Sequence, residues 1–120
     1  MAFVKSLRHA IRGVLAVIKG ERNARLHLVA AVLALALGML LGVSSSELAA
    51  IFFAALIVFL AEMTNTAVEK TLDVISDRND PRIGLIKDMT AGAVLVAAVG
   101  AVIIGVAIFY PYLLALVWQH

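Results

Sequence analysis

No cysteine occurs in the chain, which excludes disulfides and thiolate chemistry. The histidines His9, His27 and His120 stand apart, so no His/Cys set has the spacing of a zinc site. Glycine-rich phosphate loops are missing as well, since neither G-x-x-x-x-G-K-S/T nor G-x-G-x-x-G is present. Any phosphate must then be held by charged side chains and helix ends. Lysine and arginine are absent from the turn at 43–47 and from the tail after Tyr110. A cleaved signal peptide is not expected, because Lys5, Arg8, Arg12 and Lys19 break up the early sequence and leave no clean apolar core. There is no internal repeat and no low-complexity segment.

Apolar sequence is what the chain has in excess. Hydrophobic residues make up 63% of the 120, and mean hydropathy is +1.04, well beyond a soluble domain. Blocks at 26–43, 48–61 and 91–118 account for it. Each approaches the ~20 residues that cross a bilayer, provided the second runs on into the polar sequence behind it. The length allows one domain. The expectation is a single-domain, all-α membrane protein with spans near 26–43, 48–68 and 89–110. All ten Lys and Arg lie in residues 5–25 or 70–87. By the positive-inside rule the N-terminus and the 70–87 loop are cytoplasmic, and the 43–47 turn and C-terminus outside. Charges placed at membrane ends read as topology signals and not as a nucleic-acid surface.

Residues 2–19 read as an amphipathic helix. Lys5, Arg8, His9, Arg12 and Lys19 gather on one side, with Phe3, Val4, Leu7, Ile11, Val14, Leu15 and Ile18 opposite. Such a helix suits the headgroup region better than a soluble partner. Gly20 should end it. The heptapeptide Glu21-Arg22-Asn23-Ala24-Arg25-Leu26-His27 then enters the first span. Arg22 and Arg25 can snorkel to phosphates there, and His27 reads as an interface anchor. Glu21 gains nothing beside anionic lipid. Small residues recur every fourth position at Ala30, Ala34, Gly38 and Gly42, and again at Ala93, Ala97, Ala101 and Gly105. Such rows allow close helix approach in lipid and suggest a compact homo-oligomer. Asp80 before Pro81 fits an N-cap with proline at N1, closing the 76–81 loop. Lys87 and Asp88 then fall in the second or third turn of the last helix. Tyr110, Tyr112 and Trp118 suit an outer aromatic belt.

The most telling stretch follows the second block. Glu62, Asn65, Glu69 and Asp73 fall at about 0°, −60°, −20° and +20° around one helix. Three carboxylates and an amide thus share a face that is half sunk in the membrane. An ionisable group so placed costs roughly 2.5–3.5 kcal/mol on insertion scales and normally marks a function. Glu21 and Asn23, this stripe, and Lys87 with Asp88 come from the ends of all three spans on the same side. Carboxylates, an amide and a lysine make a plausible site for Mg²⁺ and a polyphosphate. A structural hydrogen-bond network between helices is the competing reading.

Glu21 to His27, Glu62-Met63-Thr64-Asn65-Thr66-Ala67-Val68-Glu69 with Asp73, and Lys87-Asp88-Met89 followed by Ala91-Gly92-Ala93-Val94-Leu95 resemble the prokaryotic diacylglycerol kinase family. The Ser6, His9-Ala10 and Gly13 pattern, the E-R-N entry and the Ile-Phe-Tyr-Pro ending are most similar to its Gram-positive-type undecaprenol kinase branch. The resemblance implies a homotrimer in a bacterial plasma membrane. Each subunit would have a surface helix and three transmembrane helices, with active sites between subunits. It implies transfer of phosphate from ATP, with Mg²⁺, to a lipid hydroxyl, undecaprenol first and diacylglycerol as the alternative. Glu62 would be the catalytic base beside the lipid, with Arg25 also on the substrate side. Glu21 and Glu69 would hold Mg²⁺ against the phosphates. Lys87, Asp88, His9, Arg78 and Asn79 would meet the nucleotide, with Asn65, Asp73 and Asn23 in support. Other classes remain: a small multidrug-type antiporter, which needs four spans and an acid in the first, whereas 28–43 has none, or a non-enzymatic membrane oligomer.

Overall fold

A computed structural model describes residues 1–75 and 79–120. Four helices form its order: α1 (Ala2–Gly20), α2 (Arg22–Leu41), α3 (Ser45–Ile75) and α4 (Pro81–Trp118). No strand occurs among the described residues. The last three are each long and apolar enough to cross a membrane. They run up, down and up, with α3 in the middle against both neighbours. The resulting slab measures 60 × 43 × 20 Å. One end carries the α1–α2 junction, the end of α3 and the start of α4, hereafter the charged end. The other carries the α2–α3 turn.

The helices exceed the apolar blocks. At ~1.5 Å per residue, α3 is about 46 Å long and α4 about 57 Å, more than the ~30 Å of hydrocarbon a bilayer offers. The surplus of α3 lies at the charged end, where its polar stripe sits. Pro111 lies inside α4, which continues to Trp118. A proline removes one ladder bond, which a long membrane helix tolerates.

Local chemistry sets each junction. Glu21 is the one extended residue between α1 and α2, at φ −117° and ψ 116°. Arg25 locks that corner, its Nη1 donating to the carbonyls of Ile18 (3.0 Å) and Lys19 (2.8 Å). Gly42 ends α2 in the left-handed region at φ 69°. Its N–H bonds the Met39 carbonyl and that of Val43 bonds Gly38, the paired ending that favours glycine. Ser44 and Glu47 open α3 as a capping box, Glu47 N–H to Ser44 Oγ at 3.1 Å and Ser44 N–H to Glu47 Oε1 at 3.0 Å. The Tyr112 hydroxyl donates to the same Glu47 oxygen, pinning α4 to this turn. Asp80 caps α4 through Arg82 N–H at 2.9 Å, with proline at N1 as expected. The Arg82 guanidinium beside it holds the Asp80 carboxyl below the ordinary carboxylate range. That contribution is present above the unfolded pKa and disappears as pH falls through the lowered one. Ser76, Asp77 and Arg78 of the expected loop lie outside the described residues.

Within one copy the packing seam differs from the small-residue rows. On α2 the seam follows Ala24, His27, Ala31, Ala34 and Gly38, alternating three and four, while Ala30 and Gly42 are exposed. An inter-helix seam tracks the 3.6-residue period, and a strict four-residue row drifts off it. Gly38 is the close approach, since a Cβ there would lie 3.3 Å from Leu48 Cδ1 and 3.4 Å from Ile51 Cδ1. On α4, Ala97, Ala101 and Gly105 face inward and Ala93 does not.

Gly42→Ala should therefore lower stability by about 1 kcal/mol, the strain of a side chain in the left-handed region. Gly100→Ala, a helical position with nothing within 4 Å, should be neutral or slightly stabilising. Unfolding of the detergent-solubilised protein measures both.

Candidate active site

The buried residues of α3 are Ile51, Val58, Glu62, Asn65 and Thr66. Their spacing of seven, four, three and one defines a stripe facing the neighbouring helices. The polar stripe read from the sequence is thus the continuation of the apolar packing face. Glu62 is 3% exposed, Asn65 9% and Thr66 2%. Glu69, one turn further, is half-buried, and Asp73 is exposed. Polarity rises along the face as it leaves the bundle.

Across from Glu62 stands His27 of α2. Ala24, fully buried, sets the contact of α2 with its neighbours, and His27 follows it by three residues on that side. Its Nε2 lies 3.8 Å from Glu62 Oε2. This is ion-pair range but too long for a direct hydrogen bond. The sequence reading had His27 as an interface anchor and missed this position. The available signal was its place in the stripe Ala24, His27, Ala31, Ala34 and Gly38, where a polar side chain interrupts small ones.

Glu21 and Glu69 both lie within electrostatic reach of Glu62. The Glu21 side chain makes no cap bond to its own helix. Three acids thus gather at the charged end. Asn65 Oδ1 and Thr66 Oγ1 are buried without a hydrogen-bond partner. Thr64 and Thr71 instead satisfy their hydroxyls on the carbonyls of Leu60 (2.9 Å) and Ala67 (2.7 Å). Mutually repelling carboxylates beside an orphaned amide oxygen form a donor set that a hard cation satisfies. Among the described residues no three acids or histidines are close enough to hold a metal ion by themselves. The arrangement therefore suits a cation that shares its ligands with phosphate, as Mg²⁺ commonly does.

Other expected site residues fall in separate places. Lys87, half-buried in α4, bonds Asp73 Oδ1 at 2.8 Å and joins α3 to α4 at the charged end. Arg25 is committed through Nη1 to the end of α1. His9, Asn23, Asn79 and Asp88 are exposed, and no described hydrogen bond or ion pair links them to Glu62. Arg78 lies outside the described residues. Between α2, α3 and α4 runs an apolar cleft of about 340 Å³, lined by Ala30, Ala34, Ala55, Val58 and Ala101 among others. His27 alone is polar among the described residues lining it.

The chain matches known proteins over most of its length. The model of the prokaryotic diacylglycerol kinase family matches residues 8–109. The chain is 42% identical to the undecaprenol kinase of Bacillus subtilis (strain 168) over 111 residues, 92% of this chain and 90% of that one. It is 34% identical to the diacylglycerol kinase of Synechocystis sp. over 112 residues, 92% of this chain and 64% of that one.

The Asp73–Lys87 pair has side chains 61% and 35% exposed, so solvent screens it. A double-mutant cycle with Asp73→Asn and Lys87→Gln should give a coupling of roughly 0.5 kcal/mol that weakens with added salt. A coupling of several kcal/mol would show a pair far less solvated than this.

Proposed function

This chain belongs to the prokaryotic diacylglycerol kinase family, and on that premise we propose that it is a lipid kinase moving the γ-phosphoryl group of ATP to undecaprenol. The single observation that carries the reading is Glu62, buried at the α2–α3 contact with Glu21 and Glu69 within reach. Identity over nearly the whole of an undecaprenol kinase favours that lipid. The similarity to a diacylglycerol kinase makes diacylglycerol the second candidate.

In this mechanism the lipid's tail stays in the bilayer and its hydroxyl reaches Glu62. The Glu62 carboxylate takes the hydroxyl proton as the oxygen attacks the γ-phosphorus. The bond from that phosphorus to the β–γ bridging oxygen breaks, giving ADP and the lipid phosphate. Glu21 and Glu69 would hold Mg²⁺, with Asn65 in support. When bound, the ion neutralises charge on the phosphates, the main demand of phosphoryl transfer. Lys87 and Asp88 meet the nucleotide, with Lys87 steadied by Asp73. His9, Arg78 and Asn79 belong to the same nucleotide side, and Asn23 supports Glu21. Arg25 serves the lipid by fixing the α1–α2 corner.

The chain works as a homotrimer in a bacterial plasma membrane, with sites completed between subunits. Among the described residues, one copy buries only Ala24, Ile51 and Val58 of its hydrophobic side chains, and leaves Phe52, Phe53, Val96 and Ile103 half or more exposed. The apolar face of α1, including Phe3, Leu7 and Ile11, is also open and lies in the headgroup layer. The charged end faces the cytoplasm, as its lysines and arginines favour.

Transfer of labelled γ-phosphate from ATP to undecaprenol and to diacylglycerol, compared in detergent micelles, tests the reading. Undecaprenyl phosphate should be the main product. Glu62→Gln should abolish turnover, a loss of at least ~10²-fold for a missing general base, while fold and ATP·Mg²⁺ binding persist. Glu69→Gln should raise the Mg²⁺ concentration needed for half-maximal rate. Unchanged activity in the first variant would remove Glu62 from the chemistry.

A further inference from the structure

The gap between His27 and Glu62 is the feature the mechanism above leaves unused. Nε2 and Oε2 are 3.8 Å apart. That is too far for one hydrogen bond, yet an oxygen can sit about 2.8 Å from both at once. Such an oxygen must accept from a ring N–H and donate to a carboxylate. A hydroxyl does both. Around this gap Glu62 is almost wholly buried, while the His27 side chain keeps 30% exposure, so one side is closed and the other open to an entering group. His27 also stands on the lining of the apolar cleft, where all its described companions are aliphatic, aromatic or glycine. An alcohol seated between the two side chains therefore has an apolar path for its first carbons, past Ala30, Ala34, Val58 and Ala98.

We propose that His27 is a substrate-binding residue that holds the oxygen of the lipid alcohol through an Nε2–H donor while Glu62 receives that alcohol's proton. The inference rests on the lipid-kinase reading and adds to it the group that orients the nucleophile. The imidazole, with a proton on Nε2, takes one lone pair of the alcohol oxygen, whose O–H points to the carboxylate. The remaining lone pair is free to form the bond to phosphorus. No proton passes to His27. A hydrogen bond to the reacting oxygen orients it far better than apolar contact alone, because attack needs a near-linear approach to the phosphorus.

The test uses the full-length protein in micelles, with the acceptor alcohol as substrate and its deoxy analogue, identical but for the missing oxygen, as competitive inhibitor. His27→Ala should raise KM for the alcohol and lower kcat, together a loss of roughly tenfold or more in kcat/KM. KM for ATP and the unfolding midpoint should stay unchanged. Inhibition by the deoxy analogue should also stay unchanged, since it offers His27 nothing to hold. His27→Gln, which keeps an N–H donor, should recover part of the loss, and His27→Phe none. Equal kcat/KM in wild type and His27→Ala would overturn the proposal, as would equal weakening of alcohol and deoxy analogue in a folded variant. Wild-type protein that phosphorylates no lipid would overturn the kinase reading and this inference with it. Wild-type turnover with an indifferent His27→Ala removes only the inference.

Discussion

Placing a carboxylate inside a helix bundle is the constraint to which the other residues answer. Glu62 is enclosed by protein on a face that elsewhere carries isoleucine, valine and alanine. Water does not solvate it, so its neighbours must. His27 approaches within 3.8 Å, and Glu21 and Glu69 act on it from further off with charge of the same sign. A fold selected for stability alone would place an apolar side chain here. An acid kept at a buried position is the mark of a residue retained for chemistry.

The opposite end is held by capping and close approach. There Gly42 turns the chain, Ser44 and Glu47 cap each other, and Tyr112 joins the same carboxylate. The small side chains of α2 let Leu48 and Ile51 approach Gly38 closely. The charged end, by contrast, is joined by a solvated ion pair, Asp73 with Lys87, and by one arginine on two carbonyls.

Much of this was legible in the sequence because it follows from periodicity. The helical arrangement of Glu62, Asn65 and Glu69 on one face needs only the 100° step, and the Asp80-Pro81 helix start needs only capping chemistry. The hydrophobic blocks likewise announced three membrane helices. What escaped was pairing between elements. The small residues of α2 were assigned to a four-residue row, whereas packing against α3 uses alternating threes and fours. Only that choice brings His27 inward. Lys87 reads as a phosphate cation, yet which acid steadies it depends on the α3–α4 crossing, which no local pattern encodes. The last helix runs through Pro111 to Trp118, because a long helix absorbs one missing bond. Glu47, anonymous in a short turn, proves to serve both its own cap and a tyrosine sixty-five residues away.

The brevity of the Gly42 turn also works as a depth gauge. Counting from it, His27 lies about 22 Å back along α2, and Glu62 about 27 Å on from Ser44 along α3, at ~1.5 Å per residue. Two arms that differ by less than one helical turn of about 5.4 Å, folded at a short joint, meet at a height set by their lengths. One added residue in either arm would shift its side chain by a third of a turn and carry it off the meeting point, so arm length is as much a part of this site as the side chains it aligns.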